Sequence, residues 1–316
     1  MDGEYILSLS YGKDSLACLG AIKKLGLPLT RIVHAEIWAT ETIPADLPPM
    51  VEFKEKADAI IKERYGIEVE HICALKTRGW EAANLHTRIC STEKNKKENS
   101  LDLSKGFQCN EPLGAKNSNT SIQRLTYEDV FYRISNGKHK GAIYGFPMNR
   151  GHWCVSKLKT YVLDKFRSQI IQVERERKVV QYLGIAADEP LRRARHEKRD
   201  GFVLPLVLAG WDEAYCRKWC EENDLLSPIY TTATRGGCWF CHNQGIDQLR
   251  LLRRNYPEYW QLLLKWDKDS PVTFHSDGHT VHDFEKRFAL EDENLIPTDV
   301  PFRWAMLDDE LQYRLF

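Results

Sequence analysis

A polar loop between an apolar run and a helical pattern constrains this chain more than any other feature. Residues 8–15 read Ser-Leu-Ser-Tyr-Gly-Lys-Asp-Ser. The apolar run at residues 5–9 predicts a buried strand, and the apolar spacing after the loop predicts a helix that ends near Gly26. The unpaired N–H groups and the positive dipole end of the helix then face such a turn. The segment is therefore predicted to bind an anion.

The residue types in the loop suit a phosphate group. Ser10, Gly12 and Ser15 are small enough for the backbone to approach a ligand closely. Lys13 adds a mobile positive charge, and the two serine hydroxyls can donate to phosphate oxygens. Asp14 is expected to cap the helix or to coordinate Mg²⁺. The spacing differs from that of the Walker loop, and the alternative is an ordinary strand-to-helix turn.

The composition describes a chain that can bury a large core. Its 316 residues include 45 basic and 45 acidic side chains, so no net charge attracts nucleic acid or a membrane surface. No run reaches the apolar length of a membrane helix, and no signal-peptide pattern is present. We therefore expect a cytoplasmic protein that contacts no membrane. In that compartment nine cysteines favour metal or redox roles over disulfides.

Strand and helix patterns alternate after the loop. Residues 31–38 and 69–74 predict strands, residues 50–65 predict a helix between them, and residues 179–185 predict a further strand. This alternation predicts an α/β fold with a doubly wound, mostly parallel sheet. Ligands of such sheets bind beyond the carboxyl ends of the strands. The loop and Trp38 are therefore expected on one rim.

The composition also divides the chain into two regions. Residues 1–200 carry the alternating pattern and form the expected loop-bearing domain. Within it, residues 90–124 are rich in Lys, Asn, Ser and Gly, which predicts an insertion or lid. Residues 201–316 predict a smaller helical region that carries paired cysteines.

The cysteines indicate a metal centre. Cys238 and Cys241 form a Cys-x-x-Cys pair, a spacing that chelates one metal ion or one edge of a cluster. Cys216 and Cys220 lie one turn apart on a predicted helix. These four could bind Zn²⁺, or Cys154 could join the pair and one helix cysteine around a [4Fe–4S] cluster. Both centres accept four thiolates, so the spacing leaves the choice open, and inert buried thiols are a third interpretation.

Four segments of the chain carry a family resemblance. They are residues 10–15, residues 152–159 (His-Trp-Cys-Val-Ser-Lys-Leu-Lys), residues 182–189 (Tyr-Leu-Gly-Ile-Ala-Ala-Asp-Glu), and residues 227–230 (Ser-Pro-Ile-Tyr) with 237–241 (Gly-Cys-Trp-Phe-Cys). Together they resemble the phosphoadenosine phosphosulfate (PAPS) reductase-like branch of the PP-loop superfamily, which has the adenine nucleotide alpha-hydrolase-like fold. The family signature is Ser-Gly-Gly-x-Asp-Ser, and Tyr11 stands in place of its first glycine.

Within that branch the chain is more similar to the sulfur-handling proteins of DNA phosphorothioation than to sulfate-assimilation reductases. Those reductases use a cysteine in a C-terminal Glu-Cys-Gly motif, and this chain has no cysteine after Cys241. The resemblance implies an enzyme that binds ATP or adenylyl sulfate and carries out sulfur transfer or sulfonucleotide chemistry beside a [4Fe–4S] cluster. A nucleic acid or a protein would accept the sulfur. The alternative is a nucleotide sensor with a structural zinc site that acts through a partner such as a DNA-binding protein.

The resemblance also assigns roles to individual residues. The expected cluster ligands are four cysteines: Cys154, Cys220, Cys238 and Cys241, with Cys216 in reserve for Cys220. The expected nucleotide contacts line the rim of the sheet: Ser10, Tyr11, Gly12, Lys13, Asp14, Ser15, Trp38, Gly184, Asp188, Glu189 and Arg192. Three of these are expected to be catalytic: Lys13, Asp14 and Arg192.

Overall fold

The computed structural model describes residues 3–76, 123–135, 140–150, 152–173, 178–231, 236–296, 298 and 304. The predicted insertion at residues 90–124 lies outside these ranges except for its last two residues. The chain divides into two compact units, Met1–Val130 with Trp153–Cys238 and Phe131–His152 with Trp239–Phe316. The boundary predicted after residue 200 therefore falls inside the first unit.

The first unit contains a five-stranded sheet in which all paired strands are parallel. Its strands are β1 (Gly3–Ser8), β2 (Arg31–Glu36), β3 (Val69–Cys73), β4 (Lys178–Tyr182) and β5 (Phe202–Val203). Their order is β3-β2-β1-β4-β5, so β1 is central. The predicted α/β class and the first four strands are confirmed, and the short β5 is an addition to them.

Helices and tight turns connect these strands. The helices are α1 (Lys13–Lys24), α2 (Pro48–Tyr65), α3 (Tyr127–Phe131), α4 (Trp153–Val155), α5 (Tyr161–Val173), α6 (Pro190–His196), α7 (Pro205–Ala209) and α8 (Glu213–Glu222). A π-helical turn, Ser156–Thr160, joins α4 to α5, and a 3₁₀ turn, Pro228–Thr231, follows α8. The helical segment that runs from α4 through α5 therefore contains a local widening.

Alternating side chains of the central strands build a core on each face of the sheet. Leu7 and Tyr182 pack with apolar residues of α1, α2 and α8 on one face. Ile6 and Val33 pack with residues of α5 on the other face. Strands that are buried on both faces are typical of parallel sheets. Since both faces are covered, the carboxyl ends of the strands remain for the polar loops.

The second unit is helical around an aromatic core. Its helices are α9 (Ile246–Asn255), α10 (Pro257–Asp269) and α11 (Val281–Asp292). Trp260 and Trp266 are buried, as their helical spacing predicts, and the Trp239 ring stacks on Trp266 with centroids 5.7 Å apart. Among the described residues of the whole chain, no helix has the length and apolarity needed to span a membrane.

Candidate functional site: the loop between β1 and α1

The predicted anion loop lies between the central strand and α1. The backbone N–H of Leu9 bonds to the carbonyl of Val33 at 2.8 Å, which extends the pairing of β1 with β2 to the start of the loop. Gly12 occupies the N-cap position of α1 with extended dihedral angles (φ −76°, ψ 155°), and as a glycine it has no side chain that could cap the helix. The N-terminal amides of a helix lack intrahelical partners. They therefore form a region of positive potential at the loop.

Two serine hydroxyls hold the loop in its curved shape. The Ser15 hydroxyl accepts a hydrogen bond from the backbone N–H of Ser10 at 3.1 Å and donates to the Gly12 carbonyl at 2.9 Å. The Ser10 hydroxyl lies 3.0 Å from the Ser15 hydroxyl. Ser15 is buried and Ser10 is exposed. Ser15 therefore shapes the loop, whereas Ser10 presents a hydroxyl to the surface.

The Lys13 side chain supplies a buried positive charge at the first turn of α1. Its ammonium group lies 2.9 Å from Asp14 Oδ1 and 2.8 Å from Glu213 Oε2. Burial lowers the pKa of Lys13, but the hydrogen bonds to Glu213 and Asp14 outweigh it and raise the pKa above its ordinary value. Burial raises the pKa of Asp14 and outweighs its bond to Lys13. The site therefore contains a firmly charged lysine between two carboxyl groups.

Tyr230 contacts the same turn from the 3₁₀ segment after α8. Its hydroxyl accepts the backbone N–H of Lys13 at 3.0 Å. Burial raises the pKa of Tyr230, so the hydroxyl stays neutral near pH 7. An oxygen atom of the protein thus occupies a position where an anion oxygen would accept an amide hydrogen. Tyr230 belongs to one of the segments that carry the family resemblance, but no role was predicted for it.

Gly184 packs against the first turn of α1. A Cβ atom at this position would lie 2.7 Å from the Cα atom of Ser15, closer than side chains pack. The close approach of the segment after β4 to α1 therefore requires glycine. This explains the residue type by backbone packing, which was not the role expected of it.

The charged residues after β4 bond mainly to one another and to backbone groups. Glu189 accepts the N–H of Ala186 at 3.2 Å and pairs with Arg192 at 2.6 Å. Asp188 accepts the N–H of Glu213 at 3.1 Å. Arg192 keeps 54% of its side chain exposed and belongs to a surface ion pair. In this arrangement Arg192 does not clamp the anion loop.

Trp38 follows β2 and is half-buried. The guanidinium carbon of Arg124 lies 4.1 Å from the centre of its ring, so one face of the indole is already covered. Its Nε1 donates to Glu36 Oε2 at 3.3 Å. A base that stacks on Trp38 would have to use the opposite face.

The Tyr11 side chain points into the protein and away from any ligand. Tyr11 is fully buried and has a positive φ of 56°, a conformation that costs a residue with a Cβ about 1 kcal/mol or more. Its hydroxyl bonds to Asp58 and lies 3.1 Å from His71 Nε2. The backbone of Tyr11 could therefore make the expected nucleotide contact, but its buried ring could not.

A set of buried and half-buried polar residues surrounds Tyr11, and no role was predicted for any of them. The members come from β2, β3, α2 and the segment before α2: His34, Glu36, Asp46, Lys54, Asp58 and His71. Their sequence signal is weak. Charged or imidazole side chains stand inside otherwise apolar strands, and Lys54 and Asp58 lie four residues apart on α2.

The expected cysteine ligands do not form a metal centre among the described residues, where no group of three or more His, Cys, Asp or Glu side chains is placed to hold a metal ion. Cys220 is buried, and its Sγ donates to the Lys13 carbonyl at 3.2 Å. Burial raises the pKa of the Cys220 thiol to about 12. To bind a metal, Cys220 would have to leave this backbone bond and lose its proton, so its place as the fourth ligand stays a prediction. Burial raises the pKa of Cys216, the reserve, to about 12 as well.

Comparisons with known proteins leave the site to be interpreted from its own chemistry. No protein-family model matches the chain, and no curated protein is significantly similar to it.

Proposed function

We propose that the first unit binds an adenine nucleotide through its phosphates at the anion loop. The observation that supports this most strongly is the position of the loop. It follows β1, which lies between β2 and β4, so the crossovers leave the centre of the sheet in opposite directions. Such switch points at the carboxyl ends of parallel strands are the usual ligand sites of α/β sheets. The helix N-terminus that faces this switch point has a glycine at its N-cap, and its first amide bonds to the Tyr230 hydroxyl, which an anion oxygen could replace.

The bound phosphate would use groups that the loop already presents. An anion oxygen would replace the Tyr230 hydroxyl on the Lys13 amide, and Ser10 would donate its exposed hydroxyl. The Lys13 ammonium would exchange part of its pairing with Glu213 for the phosphate charge. Asp14 would then be released to coordinate Mg²⁺ together with phosphate oxygens.

These contacts suit the reactions of the family that the chain resembles. We propose a PAPS reductase-like PP-loop enzyme with the doubly wound, adenine nucleotide alpha-hydrolase-like fold. If ATP is the substrate, Lys13 and the amides of α1 would stabilise the charge that develops as the bond between the α and β phosphates breaks. Arg192 would take part only if it left Glu189.

The sulfur chemistry stays a prediction. A [4Fe–4S] cluster, when bound, would supply sulfur or electrons, and Cys154, Cys238 and Cys241 are its expected ligands. The fourth expected ligand, Cys220, bonds to the Lys13 carbonyl in this structure, and no proposed step passes through the cluster. Iron analysis of anaerobically purified protein tests this prediction.

Calorimetric titration with ATP, AMP and pyrophosphate tests nucleotide binding. Gly12→Ala is the informative variant, because its Cβ would lie 3.4 Å from the Tyr230 hydroxyl and 3.6 Å from Ser10 Oγ. Those distances allow folding, but the methyl group occupies the space for the anion. Gly245→Ala is the matched control, since Gly245 is also an N-cap with similar angles (φ −72°, ψ 160°) and an open Cβ position.

We expect wild type and Gly245→Ala to bind ATP equally and Gly12→Ala to bind at least about tenfold more weakly, a loss of about 1.4 kcal/mol. Equal binding by all three proteins would contradict the proposed site. Release of pyrophosphate from ATP then separates an enzyme from a nucleotide sensor. Binding of adenylyl sulfate without pyrophosphate release would favour sulfonucleotide chemistry.

A further inference from the structure

The side chain that replaces the first glycine of the loop begins a partly buried chain of hydrogen bonds. The Tyr11 hydroxyl bonds to Asp58 Oδ1. The other carboxylate oxygen of Asp58 lies 2.9 Å from His71 Nε2, and His71 Nδ1 lies 2.8 Å from Glu36 Oε1. Glu36 Oε2 accepts from Trp38 Nε1 at 3.3 Å. We call this series the Tyr11–Trp38 chain; it consists of Tyr11, Asp58, His71, Glu36 and Trp38.

The ionisation of His71 holds the Tyr11–Trp38 chain together. His71 lies between two carboxylates, so both ring nitrogens donate when the ring is protonated. Burial lowers the pKa of His71, but the hydrogen bonds to Asp58 and Glu36 and their charges outweigh it and raise the pKa to about 9. Burial raises the pKa of Glu36, yet its bond to His71 prevails and the net shift is downwards. Near pH 7 the centre of the chain is therefore an imidazolium between two carboxylates.

A second buried series supports the same loop from the neighbouring side. His34 Nδ1 lies 2.8 Å from the Leu9 carbonyl, and Lys54 Nζ lies 2.8 Å from His34 Nε2. Lys54 is paired with Asp46 at 2.6 Å. Burial lowers the pKa of His34 well below its ordinary value, so this ring is neutral and donates from Nδ1. The backbone just before Tyr11 is thus tied to β2 and α2.

These contacts explain why a strained tyrosine is retained in the loop. Its left-handed backbone is unfavourable for a residue with a Cβ, and strain of this kind persists where surrounding contacts fix it. The ring packs edge-on to His34 with centroids 4.8 Å apart. Without the hydroxyl, Asp58 would lose one buried partner, and the loop would lose the contacts that the Tyr11 hydroxyl makes with Asp58 and His71.

We propose that Tyr11 is a positioning residue, which through the Tyr11–Trp38 chain keeps the anion loop and the Trp38 indole in one ligand-ready arrangement. The proposal rests on the proposed nucleotide function. The loop would hold the phosphates and Trp38 the base, so one ligand would depend on both ends of the chain. Loss of the central proton breaks the chain and lets the two ends move independently.

The groups that face His71 define the expected pH dependence. Glu36 and His34 face it from β2, Asp58 from α2, and Tyr11 from the loop. Lys54 of α2 acts on Glu36 and His34 through its charge. Of these groups, His71 is the one whose pKa is about 9. Nucleotide affinity should therefore decrease as the pH rises from 6.5 through about 9.

Tyr11→Phe tests the proposal, because it keeps the ring and removes the hydroxyl. Tyr182→Phe is the matched control: Tyr182 is also fully buried, and its hydroxyl bonds to the Pro28 carbonyl at 2.8 Å. The dissociation constant for ATP is measured by calorimetry at pH 6.5 and above pH 9. Tyr182→Phe corrects for the protonation of ATP itself.

We expect Tyr11→Phe to weaken ATP binding about tenfold at pH 6.5 and to abolish the pH dependence that Tyr182→Phe retains. Equal affinity of the two variants, or an equal loss at both pH values, would overturn the positioning role. If Tyr11→Phe does not fold, His71→Gln is measured in the same way, with the same expected result. If wild type binds no adenine nucleotide, the proposed function fails first, and that outcome is distinct from the failure of Tyr11 alone.

Discussion

Two buried polar clusters, one in each unit, use different chemistry. In the second unit, Arg250 of α9 pairs with Glu291 of α11 at 2.6 Å, and Arg287 pairs with the same carboxylate at 2.5 Å within α11. In the first unit, the Tyr11–Trp38 chain relies on a histidine between carboxylates. Arginine remains charged at every accessible pH, whereas histidine can lose its proton.

The difference indicates which cluster is structural and which serves a site. Fixed charges between helices contribute the same interaction at any pH near neutrality. Groups that can change protonation state are concentrated at functional sites, and the Tyr11–Trp38 chain lies next to a helix N-terminus at the edge of the sheet. The predictions below test this contrast.

The largest expected loss of stability is in the arginine–glutamate cluster of the second unit, which consists of Arg250, Arg287 and Glu291. Glu291→Gln removes the carboxylate charge that pairs with the fully buried Arg287, and breaking a buried ion pair costs about 3–5 kcal/mol. Urea unfolding should show this loss equally at pH 6.5 and 9. Asp292→Asn is the control, because its partner Arg253 meets it at the surface and the change costs about 1 kcal/mol or less. A loss that depends on pH would remove the contrast between the clusters.

The next largest effect is the pH dependence of the stability that the Tyr11–Trp38 chain contributes. The folded pKa of His71 is about 9 against an ordinary value of 6.5, so the protonated form stabilises the fold. That contribution is complete below pH 6.5 and is lost as the pH rises through about 9. The free energy of unfolding should fall by up to about 3 kcal/mol over this window.

Urea unfolding of wild type and His71→Gln at several pH values measures this contribution by difference. The variant should lack the decrease, because its side chain does not titrate. The same decrease in both proteins, or an increase in stability with pH, would show that His71 is not the titrating group.

A smaller effect is expected at Tyr230. Its hydroxyl holds the Lys13 amide that a phosphate oxygen would take, so Tyr230→Phe removes a competitor. A hydrogen bond contributes about 1 kcal/mol net; we therefore expect slightly lower stability but ATP affinity increased by up to about tenfold. Calorimetry measures the affinity. A weaker affinity would mean that Tyr230 contacts the ligand instead of leaving it.

The smallest effect tests the thiols of the first unit. Cys220→Ala should cost about 1 kcal/mol of stability, as expected for a buried side chain of this size. It should leave the iron content of anaerobically purified protein unchanged. Cys154→Ala should lower the iron content if the predicted cluster forms. Loss of iron in Cys220→Ala would restore Cys220 as a ligand, and wild type without iron would contradict the cluster.

The parts predicted well from sequence depend on local patterns. The apolar runs determine β1 to β4, and the small residues around Gly12 mark the turn into α1. Trp260 and Trp266 are buried as their helical spacing indicates. Each of these features can be read within one strand or one helix. By contrast, β5 is two residues long and carries too little pattern to detect.

The parts that sequence could not predict depend on contacts between distant positions. Tyr11 meets Asp58 and His71 from 47 and 60 positions away, and no local pattern pairs them. Arg192 was expected to contact an anion, but its guanidinium group pairs with Glu189, three positions earlier in the chain. Cys220 was expected to bind metal, yet the packing of α8 on α1 buries it. In each case tertiary packing decides what the side chain contacts.

The most direct test of the account is a titration of isotope-labelled protein with ATP, followed by nuclear magnetic resonance at the backbone amides of residues 12–15. Saturable shifts are expected at these amides in wild type and Gly245→Ala, whereas Gly12→Ala should need at least about tenfold more ATP to reach the same shifts. ATP binding that leaves these amides unshifted, or no ATP binding by wild type, would contradict the claim that the loop between β1 and α1 holds a nucleotide phosphate.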